Sequence, residues 1–161
     1  MHPTAERFAE SARDRYGFDP DVTEFPEGTK TAADAASAIG CDVAQIASSI
    51  VLVVDDGSDD GQVVVSVTSG ANRVDTDALA ALVGGSDARM AAPDEVKAAT
   101  GWTIGGVPPF CHETDVPTFV DETLAAFETV WAAAGTPDGV FPVDPDRLVD
   151  MADGTVADVS E

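Results

Sequence analysis

Ser49-Ile50-Val51-Leu52-Val53-Val54 and, after the acidic stretch 55–61, Gln62-Val63-Val64-Val65-Ser66-Val67-Thr68-Ser69 decide the fold. The first is a short, uninterrupted apolar run, the pattern of a strand buried on both faces. The second is again rich in valine, the residue that a pleated, half-buried surface favours. Between them lies Asp55-Asp56-Gly57-Ser58-Asp59-Asp60-Gly61, a polar turn with two glycines. The pair therefore predicts a β-hairpin at the centre of a core.

Working outward, Phe8, Ala9, Ala12 and Tyr16 have helical spacing over residues 4–16, and Gly17 stops that helix. A short strand is expected over 22–25, ended by Pro26 and Gly28. Thr31 has the hydroxyl of an N-cap for an alanine-rich helix over 32–39 that Gly40 terminates. Asp42 caps a shorter helix through Gln45. Beyond the hairpin, Asp75 or Thr76 caps a helix through Val83, and residues 88–90 form a short strand. Pro93 sits in the first turn of a helix over 93–100, with Gly101 behind it. Strands are expected at 117–120, 129–133 and 140–143, with a turn at 135–139. A final helix starts at Asp144-Pro145 and ends at Gly154. Strands and helices mix without regular βαβ alternation, so the class is α+β with a mixed sheet. No linker or internal repeat divides residues 1–161, and the length suits one domain.

The chain has 161 residues and 44% hydrophobic residues, enough for a real core. Its net charge is -22, from 30 acidic against 8 basic residues, and Lys30 and Lys97 are its lysines. Self-repulsion of that size strains a compact domain in dilute buffer. In molar salt the Debye length is about 3 Å and the repulsion is screened. The composition reads as adaptation to high salt, with an ordinary acidic protein as the competing reading. Cys41 and Cys111 make neither a disulfide framework nor a zinc site. Residues 1–16 alternate charged and apolar side chains, unlike a signal peptide. No apolar run reaches the roughly 18 residues of a membrane span, so a soluble, cytoplasmic protein is expected.

The segment richest in chemical possibility is Ile104-Gly105-Gly106-Val107-Pro108-Pro109-Phe110. Glycines let a ligand approach main-chain N–H groups, and prolines stiffen the loop while removing donors. Such a loop with an exposed backbone can aim N–H groups at a carbonyl oxygen, as an oxyanion site does; it also fits a plain connecting turn. Conventional nucleophiles are scarce. Cys111 and His112 are adjacent, and neighbours on an extended strand point to opposite faces, so they read as packing residues, with a thiol hydrolase built on Cys111 as a distant alternative. The acidic run at 55–60 lacks the spacing of a calcium loop, and no glycine cluster makes a phosphate loop. No metal or cofactor is expected.

Several motifs in order resemble one family. They are Thr31-Ala32-Ala33-Asp34-Ala35-Ala36, Gln45-Ile46-Ala47-Ser48-Ser49-Ile50-Val51, Ser69-Gly70-Ala71-Asn72-Arg73-Val74-Asp75, Thr100-Gly101-Trp102, Gly105-Gly106-Val107-Pro108-Pro109-Phe110 and Val156-Ala157-Asp158-Val159. The chain resembles the YbaK/EbsC aminoacyl-tRNA deacylases, whose domain also occurs as an editing insertion in bacterial prolyl-tRNA synthetases. The resemblance implies a compact α+β domain with a mixed, barrel-like sheet surrounded by helices. It also implies a trans-editing deacylase of mischarged tRNA, with tRNA-Pro-type substrates favoured, that binds the aminoacylated 3′ end of tRNA. An aminoacyl-tRNA synthetase is a further partner; DNA and membranes are not. In the family the GxxxP loop, here Gly105 to Pro109, lies beside the ester carbonyl, and cleavage uses water and the tRNA's own terminal hydroxyl. The implied catalytic positions are Gly105, Gly106 and Ser48. The implied substrate-binding positions are Phe25, Thr31, Ser69, Asn72, Val107, Pro108, Pro109 and Asp138. Two positions depart from the family. Ser48 stands where the family usually has a lysine, and Val140 stands where it has an acidic residue, with Asp138 two residues earlier. The lost lysine supports an alternative: a catalytically degenerate module of the same fold that binds aminoacyl-tRNA or a protein.

Overall fold

The computed structural model describes residues 3–25 and 31–161. Its elements run α1 (Pro3–Tyr16), β1 (Thr23–Glu24), α2 (Ala32–Ile39), a 3-10 turn (Val43–Gln45), β2 (Ile46–Asp55), β3 (Gln62–Ser69), α3 (Thr76–Leu82), β4 (Asp87–Met90) and α4 (Pro93–Thr100). They continue with β5 (Thr118–Asp121), α5 (Glu122–Ala125), β6 (Val130–Ala133), β7 (Gly139–Val143), α6 (Pro145–Ala152) and β8 (Thr155–Ala157). All eight described strands belong to one mixed sheet in the order β1-β7-β6-β2-β3-β5-β8, and β4 also pairs with β2. The β2–β3 pair is the antiparallel hairpin read from the sequence, with Val51 opposite Val65. β6 joins β2 in parallel, and β5 joins β3 in parallel. Among the described residues, no helix is long and apolar enough to cross a membrane.

Local chemistry sets most element ends. The Thr31 hydroxyl accepts from the Asp34 N–H at 3.1 Å, and Gly40 closes α2 at φ 85. Asp42 accepts from the Ala44 N–H while Gln45 reaches back to the Asp42 N–H, a reciprocal cap that satisfies two otherwise orphaned donors. Asp75 caps α3, and Pro93 and Gly101 bracket α4. Pro26 and Gly28, expected to end the first strand, lie outside the described residues. Three features differ from the expectation. β2 begins at Ile46, ahead of its apolar run, because the capped turn delivers the chain already extended. α5 and β8 are too short to show a period. Helix α6 ends at Ala152 and is capped by Asp153, which itself takes the left-handed conformation (φ 49), one residue before Gly154.

The hairpin has a core on each face, following the alternation of its side chains. Ala47, Val51, Val53, Val65 and Val67 face α1 and the rings of Phe8, Phe110 and Phe141. Leu52, Val54 and Val64 face Leu79, Ala80 and Val159. The three phenylalanine rings lie 5.0–5.7 Å apart, and Trp102 meets Phe8 edge-on at 6.1 Å. These contacts fix both ends of the 102–110 segment against the first helix.

One irregularity of the sheet positions the site. Along one side of β2, β6 registers with Ile46 and Ala47, and β4 registers with Leu52 to Asp55. Among the described residues, no strand pairs with residues 48–51 on that side.

Candidate functional site

The gap beside residues 48–51 opens into a cleft of about 390 Å³. Ser48, Ser49, Ile50 and Val51 form its floor; Ile104, Gly105, Val107 and Pro137 form one wall, and Thr31, Ala32 and Ala35 another. Val96, Trp131, Ala133 and Val140 also line it. Among the described residues, no lining side chain is ionisable, and the hydroxyl-bearing ones are Thr31, Ser48 and Ser49. The cleft can therefore hold an apolar or small group and offer it hydroxyls and peptide groups. Among the described residues, none of its lining side chains is able to act as a general base near neutral pH.

Gly105 is shaped by a tight turn. The Gly106 N–H donates to the Thr103 carbonyl at 3.0 Å, and Gly105 occupies the third position at φ 90. That conformation suits glycine in a type II turn. The turn presents Ile104 and Gly105 to solvent at the cleft wall, with Ile104 50% exposed. Gly106 behaves differently from the expectation of a donor with open backbone. Its N–H is spent on the turn, and a Cβ there would lie 2.8 Å from the Thr136 backbone. Its role is close approach to the 135–139 turn. Val107 is 3% exposed and lines the cleft, whereas Pro108 and Pro109 are buried and do not line it. Among the described residues, the Gly105 and Val107 N–H groups have no hydrogen-bond partner, so they are the loop's available donors.

Of the remaining positions, Thr31 and Ser48 line the cleft. Ser48 also borders a second depression, which it shares with Ser69 and Asn72. Those two residues are engaged in a network around Asp121. The Asp121 carboxylate accepts from the Ser69 N–H (3.1 Å), the Asn72 amide (2.9 Å) and the Thr123 N–H (3.0 Å). The Ser69 hydroxyl donates to the Ala44 carbonyl at 2.7 Å. Asp121 is fully buried. Burial pushes its pKa up, but these hydrogen bonds outweigh it and hold the carboxyl below its ordinary value. Ser69 and Asn72 thus shape the end of β3, and Asp121 is the residue that the sequence reading missed. Phe25 and Asp138 meet each other, the Phe25 N–H donating to the Asp138 carbonyl at 2.8 Å, outside the cleft lining.

Cys111 and His112 are not at the cleft. They border other depressions with Arg15 and Glu113. Burial raises the Cys111 thiol above its ordinary value, against lowering by Ser11 and Arg15. Burial also lowers the His112 pKa, partly offset by its bond to the Pro108 carbonyl at 2.8 Å. A suppressed thiolate beside a ring tied to a carbonyl is a poor nucleophile–base pair. Among the described residues, no cluster of His, Cys, Asp and Glu could hold a metal.

A model of the aminoacyl-tRNA editing domain matches residues 26–151 of the chain. An uncharacterized protein of Bacillus subtilis (strain 168), YwhH, is 34% identical over 132 residues, spanning 82% of this chain and 81% of that protein. A crystal structure of a proposed trans-editing enzyme for prolyl tRNA synthetase superposes with a TM-score of 0.91 at 39% identity, covering 100% of this chain and 99% of that one. A scaffold protein used for computational epitope grafting gives a TM-score of 0.89 at 37% identity, with 100% and 99% coverage.

Proposed function

The chain belongs to the aminoacyl-tRNA editing domain family, and from that premise we propose that it is a trans-editing deacylase that hydrolyses the ester of mischarged tRNA, with tRNA-Pro-type substrates favoured. The observation that carries this reading is the uncharged cleft that brings Thr31, Ser48 and Gly105 together. They come from three separate motifs of the family resemblance and meet in one cavity. An aminoacyl group needs such a site: room for a small side chain, and peptide donors for the ester carbonyl.

The chemistry follows from what the cleft lacks. Among the described residues no lining side chain can take a proton from water near pH 7, so the neighbouring hydroxyl of the terminal ribose relays it, accepting the water's proton while passing its own to the departing ribose oxygen. Water adds to the ester carbonyl, charge builds on its oxygen, and the Gly105 or Val107 N–H stabilises that charge. The carbon–oxygen bond to the ribose then breaks, releasing the amino acid and a tRNA with its terminal hydroxyl restored. One such donor is worth on the order of 10²–10³ in rate.

RNA recognition rests more on the 3′ nucleotides' stacking and hydrogen bonding than on phosphate contacts, because basic side chains are few and counterion release weakens in high salt. The testing experiment is a deacylation screen of mischarged tRNAs, beginning with alanyl-tRNA-Pro, in multimolar potassium chloride. Release above the no-protein rate is the expected result; silence on every mischarged tRNA ends the enzymatic reading. Ser48, uncharged where the family has lysine, favours the second reading of a binding module that holds aminoacyl-tRNA without cleaving it.

A further inference from the structure

We infer that the unpaired side of β2 at Ser49 is a binding rail for the aminoacyl group itself: the substrate's α-ammonium donates to the Ser49 carbonyl, and its ester carbonyl accepts from the Ser49 N–H. This inference rests on the deacylase reading and names how that site grips its substrate.

The orientation of the peptide groups is fixed by two bonds. The Gly70 N–H donates to the Ile46 carbonyl at 2.8 Å, on the β3 side, and the Ala91 N–H donates to the Val51 carbonyl at 3.0 Å, on the β4 side. In an antiparallel ladder, alternate residues turn both peptide groups to the same neighbour. Even-numbered residues of β2 therefore bond β3, and odd-numbered residues turn the other way. Ala47 meets β6, and Val53 and Asp55 meet β4. Ser49 lies between, with its N–H and carbonyl directed into the cleft and no strand among the described residues to receive them. Ser49 is half-buried, so this pair is open to a ligand or water entering the cleft.

The gap admits one residue, not a strand, because the pairing with β6 ends at Ala47 and Ala91 closes the other side at Val51. A single amino-acid residue has the matching groups. Facing residues of a hydrogen-bonded antiparallel pair exchange both N–H···O bonds, and an aminoacyl ester carries one amine and one carbonyl in that relation. A carbonyl oxygen has two lone pairs, so one on Ser49 leaves the other for the Gly105 loop. The ligand's side chain then falls on the Ser49 side-chain face, beside Val51, Ala91 and Val107. There the Ser49 hydroxyl is buried without a hydrogen-bond partner among the described residues. An orphaned hydroxyl and an unpaired peptide edge thus meet at one residue of one cleft.

The test uses the whole chain, labelled with ¹⁵N in molar potassium chloride. The probe is 3′-(L-alanylamino)-3′-deoxyadenosine, in which an amide replaces the labile ester. Its comparator, the propanoylamino analogue, lacks only the ammonium. The expected result is a saturable shift of the Ser49 amide with the alanyl probe and at least tenfold weaker binding of the comparator. A Ser49 amide unmoved by the alanyl probe, or equal affinity for the two compounds, overturns the rail whatever the deacylation assay gives. A wild type that hydrolyses no tRNA while its Ser49 amide responds and the tenfold difference holds keeps the rail and removes the hydrolytic reading.

Discussion

The loop from Ile104 to His112 has two halves that obey different rules. Ile104 and Gly105 are exposed, line the cleft and leave a peptide N–H open. Residues 106–112 are buried throughout. In that second half, Trp102 donates its indole N–H to the Cys111 carbonyl (3.0 Å), Arg15 donates to the His112 carbonyl (3.2 Å), and Cys111 is held at φ 65. The side chains that look reactive are in the closed half, tied into packing. The residues that line the cleft are Ile104, Gly105 and, from the closed half, Val107, a glycine and two aliphatics. Chemical conspicuousness and access are therefore opposite along this loop, as expected where catalysis uses backbone donors and the closed half holds them in place.

The contrast presupposes a folded chain, and the largest expected effect is on that premise. The described residues contain two ion pairs, Arg13–Asp19 and Arg89–Glu95, against the chain's 30 carboxylates. Most of the negative charge is uncompensated. Melting should be cooperative in molar potassium chloride, and the chain should be partly or wholly unfolded in dilute buffer. Circular dichroism melts that coincide in the two buffers would remove the high-salt reading.

The second test separates the halves directly. In Gly105→Phe, the new Cβ has an ordinary 3.7 Å contact with Pro137, so the fold survives with a strain of about 1–2 kcal/mol for a left-handed residue. Deacylation should drop by about 10²–10³ as the side chain covers the loop donors. Cys111→Ser, in the closed half, should leave the rate within a few-fold. The conservative Gly106→Ala should act on stability instead, because its Cβ would lie 2.8 Å from the Thr136 main chain. Overpacking of this kind costs about 1–3 kcal/mol. A fully active Gly105→Phe, or an inactive but well-folded Cys111→Ser, would reverse the assignment of the two halves.

How far the sequence could be read follows the same division. Thr31, Gly40, Asp75, Pro93 and Gly101 act on their own neighbours within one turn, and the elements they bound were legible. Asp121 was not, because the groups that define it, Ser69 and Asn72, are 52 and 49 residues away in the chain. The open side of β2 was hidden for a related reason. It exists because the pairing with β6 stops at Ala47 and that with β4 starts at Leu52, and nothing in Ser48-Ser49-Ile50-Val51 records where two other strands pair. Gly106 was misread as an accessible donor because composition cannot tell a glycine kept for ligand approach from one kept for chain approach.

His112 supplies a smaller, pH-dependent effect within the closed half. Its folded pKa lies below the ordinary 6.5 because burial disfavours the imidazolium. The unfolded chain therefore binds the extra proton more readily, and stability is lost as pH falls from about 6.5 towards the folded value. Asp121 adds the usual carboxylate behaviour lower down: its folded pKa is depressed, so its contribution is present above about 3.8 and lost as pH falls further. Melting temperatures of wild type and His112→Gln at pH 7.5 and 5.5 isolate the first effect. The wild type should lose more between the two pH values than the variant; equal losses would mean that the ring is not held neutral.

Ser48 gives the smallest effect and decides between catalysis and binding alone. It borders both the cleft and the Ser69–Asn72 depression, so a side chain there can reach either. Serine offers one hydroxyl and no charge, where the family's lysine offers three donors and a positive charge. If the chain is a deacylase working through peptide donors, Ser48 makes at most one neutral hydrogen bond to substrate or water. Its loss costs about 0.5–1.5 kcal/mol, so Ser48→Ala should slow deacylation by roughly tenfold or less. If the chain is a degenerate binder, wild type is silent, and Ser48→Lys restores a cation to a cleft with no other ionisable lining group among the described residues. The three proteins are assayed side by side on alanyl-tRNA-Pro and other mischarged tRNAs. Active wild type with a mild Ser48→Ala defect supports the enzyme, and silent wild type with an active Ser48→Lys supports the binder. A Ser48→Ala loss as large as that of Gly105→Phe would place decisive chemistry on a side chain. The contrast between a backbone-driven cleft and a side-chain-rich closed half would then fail at its most exposed point.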